Sequence, residues 1–225
     1  MMEISDKQRA AEKAAEKVKD GMILGIGSGS TVNYMLRKLA ERIEEEGIQI
    51  KGIPSSKKSE KLARELGIPL TTFTENNYID LAIDGADEID EQLHLSKGGG
   101  GSLFREKMVD NIADYFIVIA GADKLVKRLG AFPLPVEVVP FGWKITEKRI
   151  QKLGCRTTLR YRNEKQFVSD NGNYIIDCQF ETIDEPEKLH KEIKSLLGVV
   201  ETGIFANMAD EVIISENGKL RSIKR

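Results

Sequence analysis

Two glycine-rich segments of the chain carry residue types that suit the binding of an anion. The first, residues 25–31, reads GIGSGST and lies between an apolar run and a stretch with helical periodicity. Glycines let the backbone turn sharply toward a ligand, and a helix N-terminus offers N–H groups and a favourable dipole to a phosphate. The residues predicted to contact the anion are Ser28, Gly29, Ser30 and Thr31. A strand–helix turn with glycines for close packing is the alternative, because the Walker A and dinucleotide motifs are both incomplete here.

The second segment, residues 97–101, reads KGGGG and precedes a predicted helix over 102–113. Four consecutive glycines carry a high entropy cost, so a purely structural role is less common for them than for one or two. The predicted oxyanion-binding residues are Lys97, Gly98, Gly99 and Gly100. A lysine beside a row of backbone amides can hold a phosphate or a developing enolate. Glu106 would lie over this segment, although a solvated glutamate paired with a lysine is the ordinary interpretation.

A third segment, residues 80–91, concentrates acidic residues after an apolar run. We expect Asp84 and Asp87 to face a ligand, because the carboxyl ends of parallel strands form the ligand crevice of open α/β sheets. The residues between them are Gly85 and Ala86, and the later acids expected on a solvated face are Glu88, Asp90 and Glu91. The spacing is not that of an EF-hand, and a solvated loop is the ordinary outcome for such a run. Lys124, after the next predicted strand, could reach an anion or be merely exposed.

The elements that must position these segments alternate between strands and helices. Strands are predicted over 22–26, 48–53, 79–83 and 115–120, and helices over 31–46, 57–66 and 102–113. A first helix has a capping box at Ser5 and Gln8 and a closing glycine at Gly21. This alternation implies right-handed βαβ units and a parallel sheet. All the chemical segments are then expected to follow parallel strands at one edge of that sheet.

The pattern changes near residue 132, where FPLPVEVVP places three prolines within eight residues and predicts a connection rather than a central strand. The later predictions are helices over 142–153 and 186–197, strands over 156–162 and 199–205, and hairpins at Asn171-Gly172 and Asn217-Gly218. The last hairpin is expected to rejoin the main sheet. The predicted fold class is α/β: a Rossmann-like, mainly parallel sheet flanked by helices, with a smaller inserted α+β domain. The predicted domains are residues 1–130 with 206–225, and residues 131–205.

Composition excludes several classes of function. The formal net charge is −2, from 34 basic and 36 acidic residues, whereas nucleic-acid binding needs a clustered basic excess. No apolar run approaches the ~20 residues of a membrane span, and the charged N-terminus has no signal h-region, so we expect a cytoplasmic protein. Two cysteines and two histidines predict neither a disulfide framework nor a histidine-based metal site. Carboxylates, lysines and amides remain, and together with the predicted phosphate-binding and oxyanion-binding segments they suggest metal-free proton transfer on a sugar phosphate.

The motifs GIGSGSTV, DLAIDGADEID, KGGGGSLFREK and FPLPVEVVP, in this order, resemble ribose-5-phosphate isomerase of the A type. The DNGN at 170–173 and GVVETGIF at 198–205 extend the resemblance over essentially the whole chain. The resemblance implies interconversion of D-ribose 5-phosphate and D-ribulose 5-phosphate in the non-oxidative pentose phosphate pathway. It implies no metal or organic cofactor, a small sugar phosphate as the only ligand, and a homodimer or homotetramer.

Carried over by position, the resemblance assigns the general base to Glu106. It assigns substrate binding to the segments 28–31, 84–87 and 97–100 and to Lys124, and places Lys7 near the phosphate. Asp84 is expected to help open the sugar ring with Asp87 assisting, and Lys97 with the glycine amides to stabilise the enediolate.

Two other functions remain in competition. An amino-sugar phosphate isomerase or deaminase would need a different acid–base set, often with a histidine, and neither histidine of this chain lies in a motif. A sugar-phosphate sensor attached to a transcription regulator would need a helix-turn-helix segment, and Glu106 with Lys97 would then be superfluous.

Overall fold

A computed structural model describes residues 4–225, which divide into two compact units. The first unit is built from residues 4–86, Arg105–Lys124 and Met208–Arg225, and the second from Asp87–Phe104 and Leu125–Asn207. The helices are α1 (Asp6–Ala15), α2 (Ser30–Glu46), α3 (Lys57–Glu65), α4 (Leu103–Ile112), α5 (Trp143–Gln151) and α6 (Pro186–Lys194). The strands are β1 (Ile23–Ile26), β2 (Lys51–Pro54), β3 (Leu81–Asp84), β4 (Glu88–Ile89), β5 (Leu95–Ser96), β6 (Phe116–Gly121), β7 (Leu134–Val138), β8 (Arg156–Leu159), β9 (Tyr161–Arg162), β10 (Lys165–Gln166), β11 (Tyr174–Gln179), β12 (Val199–Thr202), β13 (Ile204–Phe205), β14 (Glu211–Glu216) and β15 (Lys219–Lys224).

The first unit is a six-stranded sheet with the order β15-β14-β6-β3-β1-β2. All neighbouring strands are parallel except β14 and β15, which form the hairpin predicted at Asn217-Gly218. The hairpin rejoins the main sheet because β14 pairs with β6, as the sequence predicts. Strands β1, β3 and β6 are buried along their whole lengths, which explains why they read as continuous apolar runs rather than as an alternating pattern.

Short-range signals predict most helix ends of the first unit, and the C-terminal end of α1 is the exception. The Ser5 hydroxyl caps α1 by accepting a hydrogen bond from the Gln8 N–H at 3.3 Å. Gly47 closes α2 with a φ of 71°, in the left-handed region that glycine adopts without strain. The predicted closing glycine of the first helix, Gly21, lies further on, since α1 already ends at Ala15 and turns follow it.

The second unit contains a four-stranded antiparallel sheet with the order β12-β7-β11-β8. The expectation that the proline-rich stretch is only a connection is wrong, because β7 is an interior strand and all five of its residues are buried. The ladder between β7 and β12 stops at Val136, so the missing N–H of Pro135 lies beyond it. The Pro135 carbonyl instead accepts a hydrogen bond from the Gly203 N–H at 2.7 Å. A central strand therefore tolerates this proline.

Two further sheets complete the second unit. Strands β9 and β10 form a hairpin whose turn residues, Asn163 and Glu164, both have positive φ. The sequence predicts a single strand over residues 156–162 and no hairpin after it, because Asn-Glu is not one of the usual hairpin dipeptides. A three-stranded sheet has the order β13-β5-β4. Strand β5 pairs with β13, and residues 87–104 belong to the second unit. The division predicted from the sequence assigns these residues to the main domain.

No helix within residues 4–225 combines the length and apolar character that crossing a membrane requires.

Candidate active site

The predicted site residues belong to both units. Those of the first unit are Ser28, Gly29, Ser30, Thr31, Asp84, Gly85, Ala86, Glu106 and Lys124. Those of the second unit are Asp87, Lys97, Gly98, Gly99 and Gly100.

The 25–31 loop joins β1 to α2 and is fastened to the end of β3. The Asp84 Oδ1 atom accepts the Ser28 N–H at 2.8 Å and the Gly85 N–H at 2.7 Å, and Asp84 is fully buried. A Cβ added at Gly27 would collide with the Asp84 carboxylate, so a glycine is required there for the carboxylate to lie under the loop. The loop and Asp84, both predicted at one edge of the sheet, are thus in direct contact within one unit.

Helix α4 holds Glu106 in its first turn and packs closely on the main sheet. Gly25 of β1 allows this approach, because a Cβ added there would lie 2.7 Å from Val109 Cγ1. Glu106 is only 4% exposed, which contradicts the interpretation of a solvated glutamate. Asp110, one helical turn further along, is also buried. A carboxylate withdrawn from water in this way is unusual on a helix, and it suits a group that handles a proton.

Lys124 ends the short 3-10 helix Ala122–Lys124, which directly follows β6. Its Nζ lies 3.8 Å from Asp123 Oδ2, and its side chain is partly exposed. The 25–31 loop, Asp84 and this turn therefore follow three adjacent parallel strands at the same edge of the sheet, as predicted. Lys7 is exposed on α1.

The glycine tract, residues 97–101, is fastened within the second unit. Asp87 Oδ2 accepts the Gly99 N–H at 2.8 Å, and the Gly101 N–H donates to Gly98 O at 2.9 Å. The tract does not follow a parallel strand, contrary to the sequence-based expectation, because β5 is antiparallel to both of its neighbours. The expectation was wrong because two-residue strands are too short to show a pattern in the sequence.

Several glycines of the tract are required by their surroundings. Gly98 has a φ of 97°, and a Cβ added there would lie 2.8 Å from Leu103 Cβ. Gly101 has a φ of 88°, and its Cβ would collide with the Phe167 ring. A Cβ at Gly100 would meet nothing within 4 Å. A Cβ at Gly99 would lie 2.7 Å from Asp87 Oδ1, so close contacts explain three of the four glycines and do not explain Gly100.

Lys97 is 2% exposed, so its ammonium group is withdrawn from bulk water. Its Nζ lies 5.2 Å from the centroid of the Phe205 ring, a cation–π distance. Its backbone N–H donates to Gly203 O at 2.8 Å. A desolvated lysine has a stronger electrostatic effect on a bound anion than an exposed one.

The later acids of the 80–91 segment do not lie on a solvated face as a group. Glu88 is 3% exposed and accepts the backbone N–H groups of Gly130 and Phe132, both at 2.8 Å. Asp90 is 8% exposed and accepts the His94 N–H at 2.8 Å. These carboxylates organise loops of the second unit, and only Glu91 is exposed. An acidic run alone does not reveal which members accept backbone hydrogen bonds.

Two residues that support the loops were not singled out from the sequence. Ser55 directly follows β2, and its Oγ lies 2.9 Å from Ser28 Oγ. Its position after a predicted parallel strand was a usable signal. Arg160 donates to the carbonyls of Gly98 and Gly99, at 2.8 and 3.1 Å. No local signal identifies Arg160, because these contacts join residues about sixty positions apart.

No group of three or more His, Cys, Asp and Glu side chains in the described part of the chain is placed to hold a metal ion.

Comparison with known proteins identifies relatives that are similar over most of this chain. A family model described as ribose 5-phosphate isomerase A (phosphoriboisomerase A) matches residues 51–219. The chain is 60% identical over 224 residues to ribose-5-phosphate isomerase A 2 of Oceanobacillus iheyensis, with 100% of each chain covered.

Solved structures agree with the sequence relatives. Ribose 5-phosphate isomerase A from Methanocaldococcus jannaschii has a TM-score of 0.93 at 41% identity, covering 97% of this chain and 98% of that one. A D-ribose-5-phosphate isomerase in complex with phospho-erythronic acid has a TM-score of 0.94 at 37% identity, covering 97% of each chain. These similarities confirm the predicted α/β fold class with its smaller inserted region.

Proposed function

Because the chain belongs to the ribose 5-phosphate isomerase A family, we propose that it interconverts D-ribose 5-phosphate and D-ribulose 5-phosphate through a cis-enediolate. The observation that carries this proposal is the 60% identity over the full length of both chains to a ribose-5-phosphate isomerase A. The complex of a relative with phospho-erythronic acid supports the substrate class, since that ligand is a phosphorylated sugar acid. The reaction belongs to the non-oxidative pentose phosphate pathway.

The 25–31 loop binds the phosphate group. Its last residues begin α2, whose N-terminus has no side-chain cap, so its N–H groups and dipole can act on an anion. The side chains that add hydroxyl donors are Ser28, Ser30 and Thr31. Lys124 contributes positive charge from the turn after β6, and Lys7 from α1.

Asp84 helps to open the furanose ring by exchanging a proton with the sugar hydroxyl, and Asp87 binds a neighbouring hydroxyl. Oδ1 of Asp84 already accepts two backbone N–H groups. These bonds orient the carboxylate and make its position independent of the substrate.

Glu106 transfers the proton between C2 and C1. A single carboxylate can reach two adjacent carbons without a change in its backbone, and its place in the first turn of α4 puts its negative charge at the favourable end of the helix dipole. The low exposure of Glu106 keeps water from competing for the proton.

Lys97 and the amides of Gly98, Gly99 and Gly100 stabilise the negative charge that develops on the carbonyl oxygen. Removing one such donor typically costs about 2.7–4 kcal/mol of transition-state stabilisation. The burial of Lys97 supports this role, because its charge is screened little by solvent.

Asp84 and Asp87 lie three positions apart in the chain, which limits the distance between their Cα atoms to about 11 Å. We also retain as a proposal the division into a main domain of residues 1–130 with 206–225 and a small domain of residues 131–205.

Assembly and compartment are further parts of the proposal. A homodimer or homotetramer is supported by exposed apolar side chains in the second unit, with Phe141 94% and Leu197 81% exposed. Light scattering on the purified protein tests it. A cytoplasmic location is supported by Cys155 and Cys178, which are both free thiols, as is usual in reducing compartments.

The experiment that tests the function is a turnover assay with ribose 5-phosphate and glucosamine 6-phosphate side by side, in the presence of EDTA. We expect ribulose 5-phosphate from the first substrate and no turnover of the second. A folded protein that is inactive on ribose 5-phosphate would contradict the proposal.

The role of the base is tested by E106Q, for which we expect a kcat about 10²–10⁴-fold lower with little change in KM. E211Q is the matched control, because Glu211 is a second glutamate of the first unit with 1% exposure. It accepts hydrogen bonds from Lys17 and Tyr115, so E211Q should lower stability and leave kcat unchanged. Near-normal turnover by E106Q would remove Glu106 from the base role.

A further inference from the structure

The carbonyl side of the glycine tract is held by an ion pair from a distant part of the second unit. Arg160 Nη1 donates to Gly98 O at 2.8 Å and to Gly99 O at 3.1 Å. The same guanidinium donates to Asp177 through Nε, at 2.9 Å, and through Nη2. The side chains are only 11% and 24% exposed. Arg160 is therefore fixed by a bidentate carboxylate on one side and binds two main-chain carbonyls on the other.

This contact fixes the direction of one particular N–H group. A peptide unit is planar, and its C=O and N–H point in opposite directions in the trans form. Because Arg160 binds Gly99 O, the N–H of Gly100 in the same peptide unit points away from the guanidinium. The preceding peptide is oriented likewise through Gly98 O, but its Gly99 N–H is already bound by Asp87.

The Gly100 N–H has no acceptor among residues 4–225. Gly100 is exposed, and the space beside its Cα is open, since an added Cβ would meet nothing within 4 Å. A donor that is oriented, unsatisfied and next to open space is suited to a ligand oxygen.

We propose that Arg160 and Asp177 are positioning residues that present the Gly100 N–H to the substrate oxygen on which negative charge develops. The inference rests on the proposed isomerase function and extends it to two residues that do not touch the substrate. Four consecutive glycines have no side chains with which to restrict their own backbone, so an outside group must supply the preorganisation. Hydrogen bonding to Gly99 O also polarises the peptide and strengthens its N–H as a donor.

Steady-state kinetics of R160M test the proposal, because methionine keeps much of the apolar bulk of the side chain and loses all its donors. We expect kcat to fall about 10- to 100-fold with little change in KM. Inhibition by phospho-erythronic acid should weaken by a similar factor, since its carboxylate resembles the enediolate. Inhibition by inorganic phosphate should be unchanged, since the residues proposed to bind phosphate all belong to the first unit and Arg160 to the second.

Three further variants separate positioning from stability. R160K should recover only part of kcat, because an ammonium group cannot bind Asp177 and both carbonyls with the geometry of a guanidinium. D177N should lower kcat less than R160M, and the double variant should equal R160M, because Asp177 acts through Arg160. R42M is the matched control: Arg42 is 13% exposed, pairs with Glu46 and binds the carbonyls of Ala15 and Val18. It should lower Tm and leave kcat unchanged.

The outcomes are distinguishable. An inactive wild type would remove the proposed function and this inference with it. An active wild type with unchanged kcat and inhibitor affinity in R160M would overturn only the positioning role, even if Tm fell. If R160M does not fold, R160K and D177N decide the question by the same two measurements.

Discussion

The 25–31 loop and the glycine tract use the same anchoring bond in different structural settings. In each, an aspartate at 84 or 87 accepts a backbone N–H at 2.8 Å, from Ser28 in the loop and from Gly99 in the tract. The loop continues from a buried parallel strand directly into a helix, so the elements on both sides set its path. The tract follows a two-residue strand and is held by side chains, with Arg160 on two carbonyls and Phe167 beside Gly101.

The difference shows two ways of ordering a glycine-rich backbone. Main-chain pairing in a parallel sheet orders the loop, and side chains from β11 and from the residues after β8 order the tract. Substitutions that remove a single side-chain contact should therefore disturb the backbone of the tract more than that of the loop. Side chains that also take part in the reaction are the exception.

The two anchoring aspartates offer the largest contrast. D84N should lower kcat about 10²–10⁴-fold, because the variant loses a proton carrier even though the asparagine oxygen can still accept the anchoring N–H groups. D87N keeps an oxygen that can accept the Gly99 N–H and loses only the charge, so a loss of about 1 kcal/mol, or roughly fivefold in kcat/KM, is expected. Steady-state kinetics on ribose 5-phosphate measure both. Equal effects would mean that the two aspartates have the same task.

A smaller effect is expected from alanine at two neighbouring glycines of the tract. G101A places a Cβ against the Phe167 ring at a φ of 88° and should lower the free energy of unfolding by about 2–4 kcal/mol. G100A meets no atom and should leave it unchanged or raise it by up to about 1 kcal/mol. Urea denaturation measures both, and a G100A variant as unstable as G101A would show that the tract is packed on all sides.

The smallest effect is expected in the 25–31 loop. S55A removes the hydroxyl contact to Ser28 and should raise KM a few-fold, through about 1 kcal/mol of lost hydrogen bonding. S59A is its control, because Ser59 is also buried and its hydroxyl hydrogen-bonds to Ser56, the residue that caps α3. S59A should lower the free energy of unfolding about as much as S55A does and should leave KM unchanged. A large fall in kcat for S55A would show that the sheet does not hold the loop as firmly as proposed.

Much of the first unit could be predicted from the sequence, because its signals are local. Apolar runs, the Ser5 cap and closing glycines such as Gly47 are each encoded within a few residues. The central position of β7 could not be predicted, because it depends on β12 stopping before Pro135. The burial of Glu106 and the proposed role of Arg160 also depend on tertiary contacts, and such contacts cannot be predicted from a single sequence.

Strand β6 acquires its second neighbour late in the synthesis of the protein. It lies between β3 and β14 in the sheet, and the Phe116 N–H donates to Asp210, 94 residues away. On the ribosome, the whole of Leu125–Asn207 emerges between the two strands. During that interval β6 is an unpaired edge of the nascent sheet. Its six residues, which are buried in the folded protein, can then pair with other chains. Slow translation of this stretch should therefore promote aggregation, and capture of the growing chain by a holdase should prevent it.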